Sequence, residues 1–290
     1  IMKNTFRLLV VVAIGAMLFT SCKKETLEGQ YMPKQKPSVI RTANLDNDGA
    51  ESFVQVSTFH WDGKLLSDIE TISGLTGNGL SKTTFTYDSK KRVEKITVQS
   101  DVVSIYKLVY DEKELTKVEG YFDSNVITDE YLFTKSDGKV TQITHVSFDK
   151  SSKKCDFEPL RYFFPEQIVT AMEAASKVAD KADRNVTSLI WDGDNIIKTE
   201  MEASVMVTTD YTYDNKVNPL KGLYKGNFES TPEILYSVNN VISSTMEMPI
   251  IGTMRTTHTY EYDGDYPVKD VIETSTMLTN TKTIVTYTYL

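Results

Sequence analysis

From about residue 39 onward the chain alternates. Phe53-x-Gln55-x-Ser57 interleaves with Val54-x-Val56, the period-two pattern of a half-buried β-strand. Similar runs rich in Thr, Val, Ile, Tyr and Phe recur, separated by short polar clusters. Asp62-Gly63, Asp137-Gly138, Asp192-Gly193 and Asp263-Gly264 are hairpin dipeptides, because glycine accepts the positive φ that such turns require. The pattern predicts antiparallel meanders over 50–150 and 186–290.

A repeat underlies these meanders: an aromatic-x-aromatic-Asp turn, then a basic, apolar return strand. It reads Phe59-His60-Trp61-Asp62, Phe85-Thr86-Tyr87-Asp88, Leu108-Val109-Tyr110-Asp111 and, as a variant, Tyr131-Leu132-Phe133-Thr134. It returns as Leu189-Ile190-Trp191-Asp192, Tyr211-Thr212-Tyr213-Asp214 and Tyr260-Glu261-Tyr262-Asp263, and Tyr287-Thr288-Tyr289 ends it. The final aromatics from Trp61 to Phe133 are 26, 23 and 23 residues apart; the steps from Trp191 through Tyr213 to Tyr262 are 22 and 49. A period near 23 fits two strands of about eight residues and two tight turns. The expected fold is all-β: a repeat-built meander forming a curved or partly closed barrel-like sheet.

Two segments break the rhythm. Pro165 opens a helical period through Ile168, Val169, Met172, Ala175, Val178 and Ala179, predicting a helix near 165–184 within an insertion at 151–185. Ser230-Thr231-Pro232-Glu233 is a cap-Pro-acid start and predicts a short helix near 231–238.

The N-terminus follows different rules. Lys3 and Arg7 precede an apolar run from Leu8 to Phe19, followed by Thr20-Ser21-Cys22, the organisation of a secretory signal peptide. The run is shorter than the roughly 20 residues a bilayer span needs. Leu18-Phe19-Thr20-Ser21-Cys22 resembles the bacterial lipobox, which implies cleavage before Cys22 and lipidation of its thiol, with the membrane as partner. Several acyl chains anchor a protein durably where one is marginal. The expected organisation is a signal peptide at 1–21, a lipidated cysteine and flexible tether at 22–38, and one β-repeat domain at 39–290. Lys23-Lys24-Glu25 resembles the lysine-plus-acid pattern of surface-exported lipoproteins, so an outer-membrane lipoprotein facing the surface is favoured over a periplasmic-facing one.

Composition narrows the function. The 290 residues carry 32 Lys and Arg against 40 Asp and Glu, net −8, which argues against nucleic acid as a partner. Two cysteines and three histidines are too few for a multi-cysteine zinc site or a disulfide scaffold. Lys82, Glu94, Lys95, Lys107, Glu119, Lys198 and Glu200 fall within or beside the predicted strands. They interrupt the apolar band that a membrane-spanning barrel presents to lipid, so a transmembrane barrel is not expected.

Three segments carry a resemblance: Tyr213-Asp214-Asn215-Lys216-Val217-Asn218-Pro219-Leu220-Lys221-Gly222-Leu223, Ser237-Val238-Asn239-Asn240-Val241 and Tyr260-Glu261-Tyr262-Asp263-Gly264-Asp265-Tyr266-Pro267-Val268. In that order they resemble a Bacteroidota lipoprotein family of unknown function with a porin-like fold, which implies a single barrel-like antiparallel sheet and no assigned catalytic residues. The Tyr-Asp rhythm is also similar to the YD repeats of secreted shell proteins, although the Gly and Arg punctuating those repeats are mostly missing.

Reactive chemistry is sparse. His60, His145 and His258 lie far apart with no metal-ligand spacing. Cys155, in Lys153-Lys154-Cys155-Asp156, has no identifiable base. Asp46-Asn47-Asp48-Gly49 resembles half a calcium loop, but the next residues do not complete the ligand set. The repeated aspartates recur at turn positions, which explains their period without a glycosidase pair. No cofactor or metal is expected. Trp61, Trp191, Tyr87, Tyr110, Tyr213 and Tyr262 share one phase of the repeat and could line one face for ligand stacking, or pack the core. The expected role is non-catalytic: a lipid-anchored cell-envelope domain that binds a protein partner or a glycan, or is structural. The alternative is a glycan-binding accessory of a nutrient-uptake system, and a hydrolase is the remote one.

Overall fold

The computed structural model describes residues 27–290 except 47, 75–78, 124, 149–183, 203–205, 227, 250–251 and 278. The strands run β1 (Pro37–Leu45), β2 (Glu51–Asp62), β3 (Leu65–Ser73), β4 (Gly79–Tyr87), β5 (Val93–Gln99), β6 (Val103–Asp111), β7 (Glu114–Phe122) and β8 (Ile127–Ser136). They continue as β9 (Lys139–Ser147), β10 (Arg184–Asp192), β11 (Asn195–Glu202), β12 (Met206–Val217), β13 (Asn239–Met248), β14 (Gly252–Asp263), β15 (Tyr266–Ser275) and β16 (Asn280–Tyr289). Each pairs antiparallel with its sequence neighbours, and β1 pairs with β16, so the described strands form a closed 16-strand barrel. The sheet is closed, which the alternation pattern had left undecided.

The repeat aromatics set the local geometry. At Trp61, Tyr87, Tyr110, Trp191, Tyr213 and Tyr262 the register with the following strand slips, giving a bulge beside each ring. A bulge bends its strand and adds twist, and strands must tilt and stagger for a sheet to close. The ring then reaches across to the preceding strand. Trp61 Nε1 donates to Pro37 O at 2.9 Å and Trp191 Nε1 to Val140 O at 2.7 Å. Tyr87, Tyr110 and Tyr213 hydroxyls donate to Leu66, Val93 and Ile196 carbonyls at 2.6, 2.7 and 2.5 Å, and Tyr289 donates to Pro267 O at 2.8 Å. Tyr262 donates instead to the Asp214 carboxylate.

A cation completes four of these latches. Lys36 lies 5.1 Å from the Trp61 ring centre and Arg92 4.0 Å from that of Tyr110; Lys139 lies 5.3 Å from Trp191 and Lys216 5.9 Å from Tyr262. Each also donates to a carbonyl in the adjacent hairpin turn: Gly63, Glu112 (2.8 Å), Gly193 and Gly264 (3.1 Å). The turn, the ring and the preceding strand are thereby held by one side chain.

The two faces of the barrel differ. Outward positions carry ion pairs: Arg41 with Glu51, Lys82 with Asp68 and Glu70, Lys117 with Glu119 and Glu130, Lys198 with Glu200, Lys269 with Glu261, and Lys282 with Glu273. They are spread from β1 to β16, so no continuous apolar band surrounds the described barrel, as lipid contact would require. The buried apolar residues point inward near the hairpin turns, where Leu66, Ile96, Leu115, Val118, Ile143 and Ile196 are fully buried; Val109, Leu132 and Ile190 stand exposed among the outer ion pairs. Toward the other end the inner face is polar, with Ser57 bonded to Thr71 at 2.9 Å and Thr256 to Thr274 at 3.1 Å.

Two segments enter the hairpin end and fill it: 27–36, and 218–238 between β12 and β13. The second contains α1 (Pro232–Tyr236), close to its predicted place. Phe228 is fully buried against Tyr106, Tyr131, Phe133 and Tyr224, with ring centres 5.2–6.5 Å away. Asn218 Nδ2 donates to Ile234 O at 2.7 Å and Ser237 O at 3.0 Å, tying the ends of this segment together. The predicted tether is thus packed from residue 27 onward: Tyr31 is buried and donates to Pro219 O at 2.8 Å, and Gly29 O accepts from Val93 N at 3.0 Å. Gly29 has φ +81°, and a Cβ there would collide with the Tyr110 hydroxyl. The sheet begins at Pro37 rather than 39, and residues 184–185 belong to β10 rather than to the insertion. The helix predicted near 165–184 otherwise lies outside the described residues, as do the signal segment and Cys22.

Two substitutions test the latch. Tyr110→Phe leaves the Val93 carbonyl short of a donor, and we expect a loss of about 1–2 kcal/mol in denaturant unfolding. Glu112 holds φ 48°, where the equivalent residues of three other hairpins are Gly63, Gly193 and Gly264. Glu112→Gly removes that backbone strain while keeping the carbonyl that Arg92 uses, so we expect stabilisation of up to about 1 kcal/mol in the same measurement.

Candidate functional site

The hairpin end holds a cavity of about 760 Å³ between segment 27–34, the segment after β12 and the turns preceding β7, β9 and β11. Its size falls within the usual range for small-molecule sites. Trp191, Tyr224, Tyr236 and Tyr266 supply aromatic wall; the ionisable residues are Glu28, Glu114, Asp137 and Asp194 with Lys34, Lys113, Lys139 and Lys221. Glu28 is engaged: its carboxylate accepts from Leu115 N at 2.7 Å and pairs with Lys135. Lys139 is held over Trp191, 3.7 Å from Asp194. Burial is the main influence on Lys221 and lowers its pKa; Asp194 opposes the shift and Lys139 adds to it.

Of the sequence-predicted aromatic positions, Trp61, Tyr87, Tyr110 and Trp191 pack against the core. All six, with Tyr213 and Tyr262, spend their polar tips on the latches described above. Trp191 alone among them lines the cavity.

The histidines stand on three strands. His60 points outward on β2 beside Asp68 and Glu70, close enough together to face a cation. The Lys82 ammonium already lies 3.0 and 2.9 Å from those two carboxylates. His145, inward on β9, has Nε2 2.8 Å from Asp129 and Nδ1 2.9 Å from Glu229, and stacks on Tyr131 at 4.5 Å. Burial opposes its charge, but hydrogen bonds to Asp129 and Glu229 outweigh this and raise its pKa from 6.5 to about 9. With both nitrogens donating, the ring serves as a fixed cation and has no free lone pair for base catalysis. His258, inward on β14, meets Asp270 at 2.8 Å and stacks on Tyr260. The partners of the His145 and His258 rings are carboxylates and, for His258, the Tyr260 hydroxyl at 3.4 Å.

The barrel interior also holds groups the sequence did not mark. Glu233 on α1 is enclosed; burial raises its pKa to about 7 against hydrogen bonds from its own backbone and Tyr211 and the charge of His258. Lys225 keeps open surface but is surrounded by barrel wall, 5.6 Å from the Phe59 ring centre, and burial lowers its pKa to about 8. Their positions follow from the fill segment entering the barrel, for which local sequence holds no signal. Asp46 resolves as a turn residue, its carboxylate accepting from Asp48 N at 3.0 Å and Ala50 N at 2.8 Å. Cys155 lies outside the described residues.

The His145 cluster predicts a pH effect. Because its folded pKa lies above the unfolded value, its contribution is complete below about pH 6.5 and is lost as pH rises through about 9. We expect stability to fall by on the order of 3 kcal/mol across that interval in urea unfolding, and His145→Gln to flatten that slope.

No family model and no curated protein matches the chain. Among solved structures it is similar to a porin-like protein from Bacteroides uniformis, at 12% identity and TM-score 0.53 over 88% of this chain and 98% of that one. A porin-like protein from Bacteroides vulgatus aligns at 10% identity and TM-score 0.49, over 89% and 99%. The fold of this chain is that of the porin-like barrel.

Proposed function

We propose that the protein is a lipid-anchored protein of the cell envelope, attached at Cys22 after loss of residues 1–21, whose barrel binds a partner and neither conducts nor catalyses. The observation carrying this reading is the polarity of the barrel. Its outer wall bears ion pairs, suited to water, while its inside is packed at one end by aromatic side chains. Such a body needs a separate device to stay at a membrane, and Leu18-Phe19-Thr20-Ser21-Cys22 has the form of one. A second observation supports reading the chain as a relative of the Bacteroidota lipoprotein family that it resembles. The three family-like segments meet: Asp214 accepts from Asn240 N at 3.1 Å and from the Tyr262 hydroxyl, and Asn218 braces the fill segment.

A glycan-binding accessory role is the second reading, favoured by the indole of Trp191 in the cavity wall. The anchor is tested with Cys22→Ala in the native host. We expect an unprocessed precursor that incorporates no labelled fatty acid. A variant that is still cleaved and acylated like the wild type would overturn the anchor.

A further inference from the structure

The repeat places Trp61 and Trp191 in matching surroundings. Each indole donates to the carbonyl of the first inward residue of the preceding strand, Pro37 or Val140. Each is covered by the lysine just before that residue, Lys36 or Lys139, which also holds the glycine carbonyl of the turn. The copies then diverge. Tyr31 stacks on Trp61, with ring centres 5.7 Å apart and planes 29° apart. No described ring stacks on Trp191, and its indole instead forms part of the wall of the 760 Å³ cavity.

We infer that this cavity binds a neutral oligosaccharide, with a sugar ring seated on the indole of Trp191 as Tyr31 is seated on Trp61. The inference rests on the glycan reading above and gives it a site. An indole platform suits the apolar face of a pyranose. The cavity wall carries four carboxylates and four lysines, so it has no net sign to attract a strongly charged ligand, while both donors and acceptors are at hand for hydroxyls. Lys221 is available for such a contact, because no carboxylate pairs with it among the described residues.

The chain has two tryptophans, so 5-fluorotryptophan labelling gives two ¹⁹F resonances, assigned with Trp191→Phe. The probes are malto-, cello-, xylo- and manno-oligosaccharides, with N-acetyltyrosinamide as an aromatic control. The expected result is a saturable shift of the Trp191 resonance with at least one saccharide, the Trp61 resonance unmoved. In calorimetry, Trp191→Phe should weaken that saccharide by about tenfold. Lys221→Gln, which disturbs no latch, should weaken it by about threefold. Saccharide heat without a Trp191 shift, at an affinity both variants retain, would overturn the cavity assignment and leave the glycan reading standing. No heat from any saccharide would overturn the glycan reading itself, and a response to N-acetyltyrosinamide alone would replace it with recognition of an aromatic peptide.

Discussion

The barrel depends on the contact between a repeat aromatic and the carbonyl of the strand before it. A sheet of sixteen strands closes only if every pair contributes the right tilt and stagger, and here the bulge beside each ring introduces that adjustment at a regular interval. Backbone pairing alone would leave each bulge a weak point. The ring covers it, its polar tip satisfies a carbonyl of the preceding strand, and at Trp61, Tyr110, Trp191 and Tyr262 a cation bridges ring and turn. Each hydrogen bond is worth about 1 kcal/mol and each cation contact roughly 0.5–1 kcal/mol. Repeated around the barrel, these small terms fix the relative placement of successive hairpins.

Closure creates a second requirement. Barrels of this strand number leave a wide interior, and an apolar inner wall facing water would forfeit the burial that favours folding. The chain answers by returning two of its own segments into the hairpin end, where Phe228 meets rings from β6 and β8. The hydrophobic core is therefore the filled hairpin end of the lumen, while ion pairs line the outer wall and a smaller set of paired ionisable groups, such as His145 with Asp129 and Glu229, lies inside.

Repetition also makes departures informative. Most repeat aromatics do the same structural work, and their shared phase reflects that work. The departures are the places where something else is accommodated: Tyr31 against Trp61, open cavity against Trp191, and the Asp214–Tyr262–Asn240 cluster where a long fill segment replaces a tight turn. His145 and His258 belong to the polar half of the lumen, where His145 is held between Asp129 and Glu229 and His258 meets Asp270.

Much of this was legible in the chain alone. Period-two alternation, Asp-Gly turns and a spacing near 23 determine the strands, their antiparallel order and the hairpins, because turn chemistry and side-chain alternation act over a few residues. The same local signals located α1 and the repeat aromatics. Closure of β1 on β16, the packing of 27–36 inside the barrel, and the placing of Glu233 and Lys225 within the barrel wall depend on contacts between residues far apart in the chain. No spacing rule reaches that far. The difference between Trp61 and Trp191 is of this kind: two copies of the same Trp-Asp-Gly turn acquire different surroundings because Tyr31 reaches one of them and not the other.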